Sequence, residues 1–452
     1  MKYLIRRWKL YAAFVLLFLL PTLALLAQDH AKADVKTGWN FGVLPAVSFD
    51  ADLGFQYGGL VNLFQYGDGS RYPLYDHSLY FEISRYTKGS GLFRFYYDSD
   101  RLMEGLRVTT DLTYMPEQSY DFYGFNGYEA VYNRDWEDET SADYRSRLFY
   151  KMAHNLFRFK TDLQGAIGEN GWGWIAGLNL LNFDIGSVDV DRMNKGKDEA
   201  DLLPSVEEQP GLYEKYIEWG LISPDEADGG FIPELKGGFS FDTRDNRPNP
   251  MKGVWTEAVL VAAPEFLGAE SGFGKLAITH RQYFTLIPED LSLAYRLGWQ
   301  QTLWGQVPFY YQSQVITTVM TGATSTGLGG VRSLRGIKRN RVVGDGMLFG
   351  NLELRWKALY FNFIKQSFYM GVNTFLDAGR STALIEGEDR LPLMTENPDD
   401  YFDFGSEALH LSYGLGLRIA MNRNFIIAVD YGRAVDRQDG DSGFYVGLNY
   451  LF

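Results

Sequence analysis

Five basic residues lie close together in the glycine-flanked stretch GGVRSLRGIKRNR (329–341), and no acidic residue separates them. They are Arg332, Arg335, Lys338, Arg339 and Arg341. A dense basic run can bind an anionic polymer such as nucleic acid, or it can neutralise carboxylates elsewhere in the same protein. The whole chain carries a formal net charge of −14, and an acidic surface repels phosphates. We therefore expect no nucleic-acid partner.

No residues show the spacing of a catalytic or metal site. The five histidines are scattered, and the chain has no cysteine to supply a thiolate or a disulfide. The stretch GATSTG (322–327) has the glycine spacing of a phosphate-binding loop but lacks its lysine. Acidic pairs such as Asp399 with Asp400 are more often solvated loop than calcium ligands. The sequence predicts a protein that is not an enzyme, with no cofactor and no metal.

The N-terminus has the pattern of an export signal. Four positive charges in MKYLIRRWK precede the apolar run LYAAFVLLFLL (10–20). A charged segment followed by a short apolar run is typical of a secretory signal peptide. We predict a signal peptide over residues 1–27, with cleavage there or as late as residue 33. An N-terminal membrane anchor is the alternative, although the run is short for a spanning helix.

Alternation of residue types near the C-terminus predicts the fold. In LHLSYGLGLRI (409–419) the odd positions are apolar and the even positions are small, polar or charged. Strict alternation indicates a strand with one apolar and one polar face. Aromatic residues are abundant, and no apolar run after residue 27 is long enough for a membrane helix. These features are typical of an outer-membrane β-barrel, and a large secreted β-sandwich is the alternative.

The number of strands can also be predicted. Seventeen candidates lie between residues 39 and 452, whereas a closed antiparallel barrel of this kind has an even number. Merging 144–164 into one strand gives sixteen, because MAHN (152–155) contains no turn residue. We therefore predict an all-β fold, a 16-stranded antiparallel transmembrane β-barrel over residues 39–452 with an external loop folded into the lumen.

The longer connections of this predicted barrel all lie on one side, which we take as the external side. Within one of them, GLYEKYIEWG (211–220) is predicted to form a short helix that caps the barrel mouth. A partner-docking surface is the alternative for this helix. The long external loops are 115–141, 186–230 and 380–407, together with the inserted loop 302–345.

Alternation also predicts a site inside the lumen. In GNLELRW (350–356) the leucines share the lipid face, so Glu353 points inward, and the same rule turns Asp377 inward on the next strand. Two carboxylates against a low-dielectric wall need a cation. Arg335 lies in the loop before these strands, and its guanidinium can bridge both acids. We predict that this ion pair holds the loop as an internal plug, while the other four basic residues neutralise further lumenal acids.

Three short motifs, LRGI (334–337), GNLE (350–353) and FLDAG (375–379), resemble those of one family, the outer-membrane insertases and two-partner-secretion transporters typified by BamA and TamA. LRGI (334–337) resembles the family's [VL]-R-G-[FY] loop. GNLE (350–353) is similar to its G-x-x-E strand, and FLDAG (375–379) is similar to its F-x-D-x-G strand. Besides the three charged residues of the predicted ion pair, the motif positions are Leu334, Gly336, Ile337, Gly350, Phe375 and Gly379.

Three further stretches support the resemblance. DFYGFNG (121–127) is similar to the glycine-aromatic loop of the related bacterial surface antigens. FDTRDNRPNPMKG (241–253) resembles the family's periplasmic turn through Asp242, Arg244, Pro250 and Gly253. The terminal strand resembles the family's C-terminal assembly signal, with Phe444, Val446, Leu448, Tyr450 and Phe452 on one face.

The resemblance implies a barrel whose sixth external loop enters the lumen, where Arg335 pairs with Glu353 and Asp377, and a weak seam between the first and last strands. The sequence departs from the family pattern at Ile337, where an aromatic residue is usual. Family members usually carry periplasmic POTRA domains before the barrel, but few residues precede the first strand here. We therefore expect a barrel-only member.

The function implied by the resemblance is assistance in assembling or translocating outer-membrane or surface proteins. The expected location is the outer membrane of a Gram-negative bacterium. The expected partners are outer-membrane lipids, a separate periplasmic or lipoprotein subunit, and substrate outer-membrane proteins. A passive pore, or a scaffold that anchors a periplasmic or cell-surface complex, is the alternative function.

Overall fold

The computed structural model describes residues 35–50, 54–72, 74–87, 89–199, 202–247, 249–316, 327–363, 366–421 and 425–452. The predicted signal peptide lies outside the described residues and stays a prediction. Among the described residues, no helix is long and apolar enough to cross a membrane.

Sixteen antiparallel strands form one sheet, which confirms the predicted fold class and strand number. The first strand, β1, consists of two segments, Trp39–Pro45 and Ser48–Asp50, and both pair with the next strand. The others are β2 (Gly54–Gln65), β3 (His77–Tyr86), β4 (Gly91–Met103), β5 (Leu106–Asp121), β6 (Lys151–Ile167), β7 (Trp172–Gly186), β8 (Gly229–Asp242), β9 (Gly253–Ala263), β10 (Phe273–Ile287), β11 (Leu291–Gly305), β12 (Gly346–Phe363), β13 (Gln366–Ala383), β14 (His410–Met421), β15 (Phe425–Ala434) and β16 (Ser442–Leu448).

Each strand pairs with the next along the chain, and β16 lies beside β1 in the order of the sheet. In the described parts of the connections there are three short α-helices, α1 (Val190–Asn194), α2 (Leu212–Glu218) and α3 (Phe309–Gln312). Short 3-10 helices occupy Gly127–Glu129, Arg134–Trp136, Glu265–Leu267, Glu388–Leu393, Pro398–Asp400 and Arg437–Asp439.

The strands separate apolar from polar side chains as the alternation predicts. On β12, Leu352 and Leu354 are exposed, whereas Glu353 and Arg355 between and beside them are buried. On β13, Leu376 is likewise exposed. The outer face of the sheet is therefore an apolar surface suited to lipid, and the inner face carries the charges.

The strand predicted at 144–164 is partly wrong. Residues 152–155 do lie inside one strand, β6, but this strand starts only at Lys151. The preceding Phe149 and Tyr150 belong to a buried aromatic cluster of the loops, because their rings pack against Trp136. The apolar side chains before Lys151 therefore fill a core formed by the loops and do not belong to a strand of the barrel.

The four long connections lie on one side as predicted, with somewhat different bounds. β5 continues to Asp121 and β11 to Gly305, which moves the start of two predicted loops. The observed connections are 122–150, 187–228, 306–345 and 384–409. We call this side the long-loop end of the barrel and the opposite side the short-turn end.

Aromatic side chains from these connections form a cap at the long-loop end. The predicted short helix is α2, and Leu212, Tyr216 and Trp219 are buried on one side of it as expected. The Tyr216 and Phe122 rings meet edge to face at 5.1 Å, an arrangement that aromatic pairs favour. The capping helix is thus packed on the loop that contains the glycine-aromatic motif.

The last strand ends earlier than the alternation predicts. β16 stops at Leu448, and Asn449 adopts a left-handed conformation with φ 66°. Phe444 and Val446 are exposed on the outer face, but Tyr450 and Phe452 are buried inside. The prediction that all five residues share one face is therefore wrong, because a single left-handed residue reverses the direction of the side chains that follow it.

Candidate functional site in the lumen

Arg335 lies at the centre of a fully buried ion-pair cluster. Its Nε and Nη2 donate hydrogen bonds to the two carboxylate oxygens of Asp377, at 2.9 and 3.0 Å, and its Nη1 donates to Glu353 Oε1 at 2.6 Å. The backbone N–H of Arg335 also donates to Asp377, at 3.0 Å. The structure thus brings together the three residues that alternation and the motifs single out.

The Phe375 ring contacts one face of the Arg335 guanidinium group, in addition to the hydrogen bonds at its edges. Its central carbon lies 3.6 Å from the centre of the Phe375 ring, which is close enough for a cation–π contact. Burial by itself lowers the pKa of Arg335, but Asp377 and Glu353 outweigh burial and raise this pKa above its ordinary value. Arg335 therefore stays charged in the lumen.

Neighbouring strands complete the cluster. Arg355 donates from Nε to Glu353 Oε2 at 2.7 Å, so the two oxygens of Glu353 bind two different arginines. Asn351 donates to Asp377 Oδ1 at 2.8 Å and to the Ser333 carbonyl at 2.6 Å. The wall therefore holds both the side chain and the backbone of the loop. We call residues 327–345 the plug loop.

Small residues on the wall let the tip of the plug loop approach closely. Gly336 has φ 94°, which favours glycine, and its N–H donates to the Tyr445 hydroxyl at 2.9 Å. A methyl group at Gly432 would lie 2.6 Å from the backbone of Arg335. The loop tip therefore rests directly on the backbone of β15, next to the last strand.

Apolar residues flank the buried arginine. Leu334 and Ile337 are buried in one cluster with Met347 and Phe349 of β12. Gly379 leaves room there, because a methyl group at this position would lie 3.0 Å from Leu334. Ile337 is thus a packed residue even though it is not aromatic.

Three of the other basic residues meet acids at the long-loop end. Lys338 lies 3.8 Å from Glu137, and Arg339 lies 2.7 Å from Glu117. Arg341 lies 3.8 Å from Asp439 and also donates to the carbonyls of Gly127, Ala130 and Gln438. Arg332 is exposed, and its carbonyl accepts a hydrogen bond from Arg296. These contacts join the plug loop to the cap.

Other motif residues lie away from the cluster. Gly350 is on the outer side beside Leu297. In the turn between β8 and β9, Arg244 donates to both carboxylate oxygens of Asp242 and stacks 3.8 Å from the Trp255 ring. Pro250 is buried in this turn, and Gly253 has φ 109°. These residues shape the turn at the short-turn end.

Five further residues belong to the cluster, and the sequence motifs do not assign them to the ion pair. They are Arg296, Asn351, Arg355, Asp430 and Tyr445. Asn351 and Arg355 share the inward face with Glu353, two positions away on either side, so alternation marks them as candidates. Asp430 lies 3.8 Å from Arg335, but it and Tyr445 come from later strands. Among the described residues, no group of His, Cys, Asp and Glu could hold a metal ion.

A sixteen-stranded antiparallel sheet with an external loop bound to its inner face is the architecture of an outer-membrane type of β-barrel. The family model described as the Omp85 superfamily domain matches residues 81–452. The protein belongs to the Omp85 superfamily, and the resemblance seen in the motifs is confirmed at this level.

A solved structure of low sequence identity shares the fold, and a second one is similar over most of the chain. CdiB from Escherichia coli is 11% identical, with a TM-score of 0.53 over 90% of this chain and 61% of CdiB. The BamA structure from Haemophilus ducreyi, which lacks POTRA domains 1–3, is 14% identical, with a TM-score of 0.49 over 91% of this chain and 71% of that one. The chain thus spans about three fifths of CdiB. No curated protein sequence matches the chain.

Proposed function

We propose that the protein is an outer-membrane barrel that assists the assembly or translocation of outer-membrane or surface proteins together with a partner subunit. The observation that carries this proposal is the plug loop, held inside a barrel of the Omp85 superfamily by the Arg335 cluster. Charges that hold a loop in place can be rehydrated when the loop leaves, so the contact is reversible. The apolar outer face supports a location in membrane lipid.

The seam between β16 and β1 is the proposed place where a substrate strand would be received. β16 has 7 residues, whereas β12 and β13 each have 18. A short last strand offers few backbone hydrogen bonds, and an incompletely paired edge can accept another strand. We also propose that a separate periplasmic or lipoprotein subunit delivers the substrate strand to this seam.

A scaffold that anchors a cell-surface or periplasmic complex is the second candidate function. The aromatic cap favours it, because the loops of the long-loop end are packed on one another. Lys215 of α2 contacts Glu396, which ties two of the long connections together. A fixed surface of this kind suits a stable partner better than a passing substrate.

Affinity purification of the native chain from outer membranes separates these functions. Co-purified periplasmic chaperones or unfolded barrels support assembly, whereas one stable lipoprotein or secreted protein supports the scaffold.

A reconstitution then tests assembly directly. Liposomes that contain the purified chain and the co-purified fraction receive a urea-denatured eight-stranded barrel, and heat-modifiable mobility on gels measures folding. We expect folding at least tenfold faster than in empty liposomes. Equal rates in the two kinds of liposome would overturn the assembly proposal.

A further inference from the structure

The four residues after β16 form a separate structural feature, which we call the terminal segment (449–452). Asn449 is left-handed, and its N–H donates to the Ile426 carbonyl at 2.8 Å. This bond fixes the point at which the chain leaves the wall. Tyr450 and Phe452 then turn into the lumen and are each 9% exposed. The terminal segment is therefore not a continuation of the outer apolar face.

The terminal segment reaches far across the interior. The Phe452 ring lies 6.3 Å from the Tyr283 ring of β10. β10 and β16 are six strands apart, which is roughly 29 Å along the wall at a spacing of about 4.8 Å per strand. A segment of four residues cannot follow the wall over that distance, since an extended chain spans at most about 3.5 Å per residue. It therefore runs inside the curve of the wall, where its rings contact the inward arginines Arg418, Arg355 and Arg296 of β14, β12 and β11.

The turn between β8 and β9 crosses the same end of the barrel. Asn249 donates from Nδ2 to the Tyr369 hydroxyl of β13 at 2.8 Å, and the Met251 sulfur accepts from Lys357 of β12. Tyr369 also belongs to one buried cluster with Tyr450. The turn and the terminal segment thus meet at Tyr369 and together obstruct the short-turn end.

Arg355 connects the terminal segment to the plug loop. Its Nη2 donates to the Phe452 carbonyl at 2.9 Å, and its guanidinium carbon lies 4.4 Å from the centre of the Tyr450 ring. Its Nε donates to Glu353, whose other oxygen accepts from Arg335. Arg335, Glu353, Arg355 and Phe452 therefore form one continuous chain of hydrogen bonds from the plug loop to the terminal segment.

We propose that the terminal segment is an autoinhibitory latch, which closes the short-turn end of the lumen and is coupled to the plug loop through Glu353. Arg335 fixes the orientation of the Glu353 carboxylate, and this orientation presents Oε2 to Arg355. When Arg335 leaves, the carboxylate is free to rotate and hydrate, so Arg355 loses its anchor and the latch loosens. This inference goes beyond the proposed function, because it requires neither a partner nor a substrate.

Thiol labelling of the purified full chain tests the latch. The chain has no cysteine, so Leu451→Cys introduces a single thiol between the two aromatic anchors. The rate of its reaction with a water-soluble maleimide reports how often the latch opens. We expect Arg355→Gln to increase this rate at least tenfold, which corresponds to about 1.4 kcal/mol. Arg335→Ala should also increase it, through Glu353.

Arg158→Ala is the matched control, because it removes a buried lumenal arginine that pairs with Asp111 on the opposite side of the barrel. We expect no change in its labelling rate. An unchanged rate in Arg355→Gln, or an increase there without any increase in Arg335→Ala, would overturn the coupled latch. If Arg355→Gln does not fold, Glu353→Gln takes its place, since it keeps the side-chain volume and removes the charge shared by both arginines. An unchanged rate in that variant would also overturn the proposal.

Discussion

Replacing Arg335 with alanine should release the plug loop while leaving the barrel folded. The substitution removes the paired bonds to Asp377, the bond to Glu353 and the contact with Phe375. Asp377 keeps another partner, because it still binds Asn351. We therefore expect a cost near the lower end of the range for breaking a buried ion pair, about 3 kcal/mol. This shifts the equilibrium between closed and released loop roughly 150-fold.

Two measurements detect the release. Conductance of the purified chain in planar bilayers should rise, and trypsin should cut the plug loop faster. Arg332→Ala is the matched control. It removes the same charge from an exposed residue that lies three positions before Arg335 in the plug loop. Arg335→Lys should fall between the two, because an ammonium group cannot make the paired contact with Asp377. If Arg335→Ala and Arg332→Ala give the same conductance and the same rate of cleavage, the ion pair does not hold the loop.

Three further variants test the surroundings of the plug loop. Gly432→Ala should displace the loop tip and speed its cleavage by trypsin, because the added methyl group would lie 2.6 Å from the Arg335 backbone, whereas Gly447→Ala meets nothing within 4 Å and should behave as wild type. Arg341→Ala should lower the temperature of heat-induced unfolding on gels, since the carbonyls of Ala130 and Gln438 lose their donor and that of Gly127 keeps only the Ala130 N–H, at a cost of about 3 kcal/mol; an unchanged temperature would show that the cap does not depend on this arginine. Burial raises the pKa of Glu396, but Lys215 and Tyr401 outweigh burial and lower it below the ordinary 4.5. The link from Glu396 to α2 should therefore persist above pH 4.5 and weaken as the pH falls below it, with faster proteolysis of the loops in wild type and no such pH dependence in Glu396→Gln.

Strand alternation predicts the inner and outer faces because its period of two leaves no freedom once a strand is in register. Glu353 and Asp377 could be assigned to the lumen from their own strands alone. The loop that binds them lies immediately before the first of these strands, so Arg335 was within reach of both. A local pattern was enough for this part of the site.

Contacts across the barrel could not be predicted in the same way. Tyr445 meets Gly336, and Arg355 meets Phe452, only because the sheet curves and brings distant strands to face one another. The inward turn at Asn449 depends on one backbone angle, and the residues that follow it keep the apolar alternation of a strand. The residue types and their spacing therefore do not predict that the side chains after Asn449 turn inward.

The ion pair at the centre of the plug has a physical consequence. A buried ion pair contributes little net stability, because the attraction between its charges is offset by the loss of their hydration. An apolar plug would expose its surface to water on release, whereas Arg335, Glu353 and Asp377 regain water when they separate. The geometry of the ion pair then determines where the plug loop binds, since Arg335 makes its paired bonds only where Asp377 and Glu353 face inward together. A plug held in this way has one defined closed position, and its release costs about as much as breaking a buried ion pair.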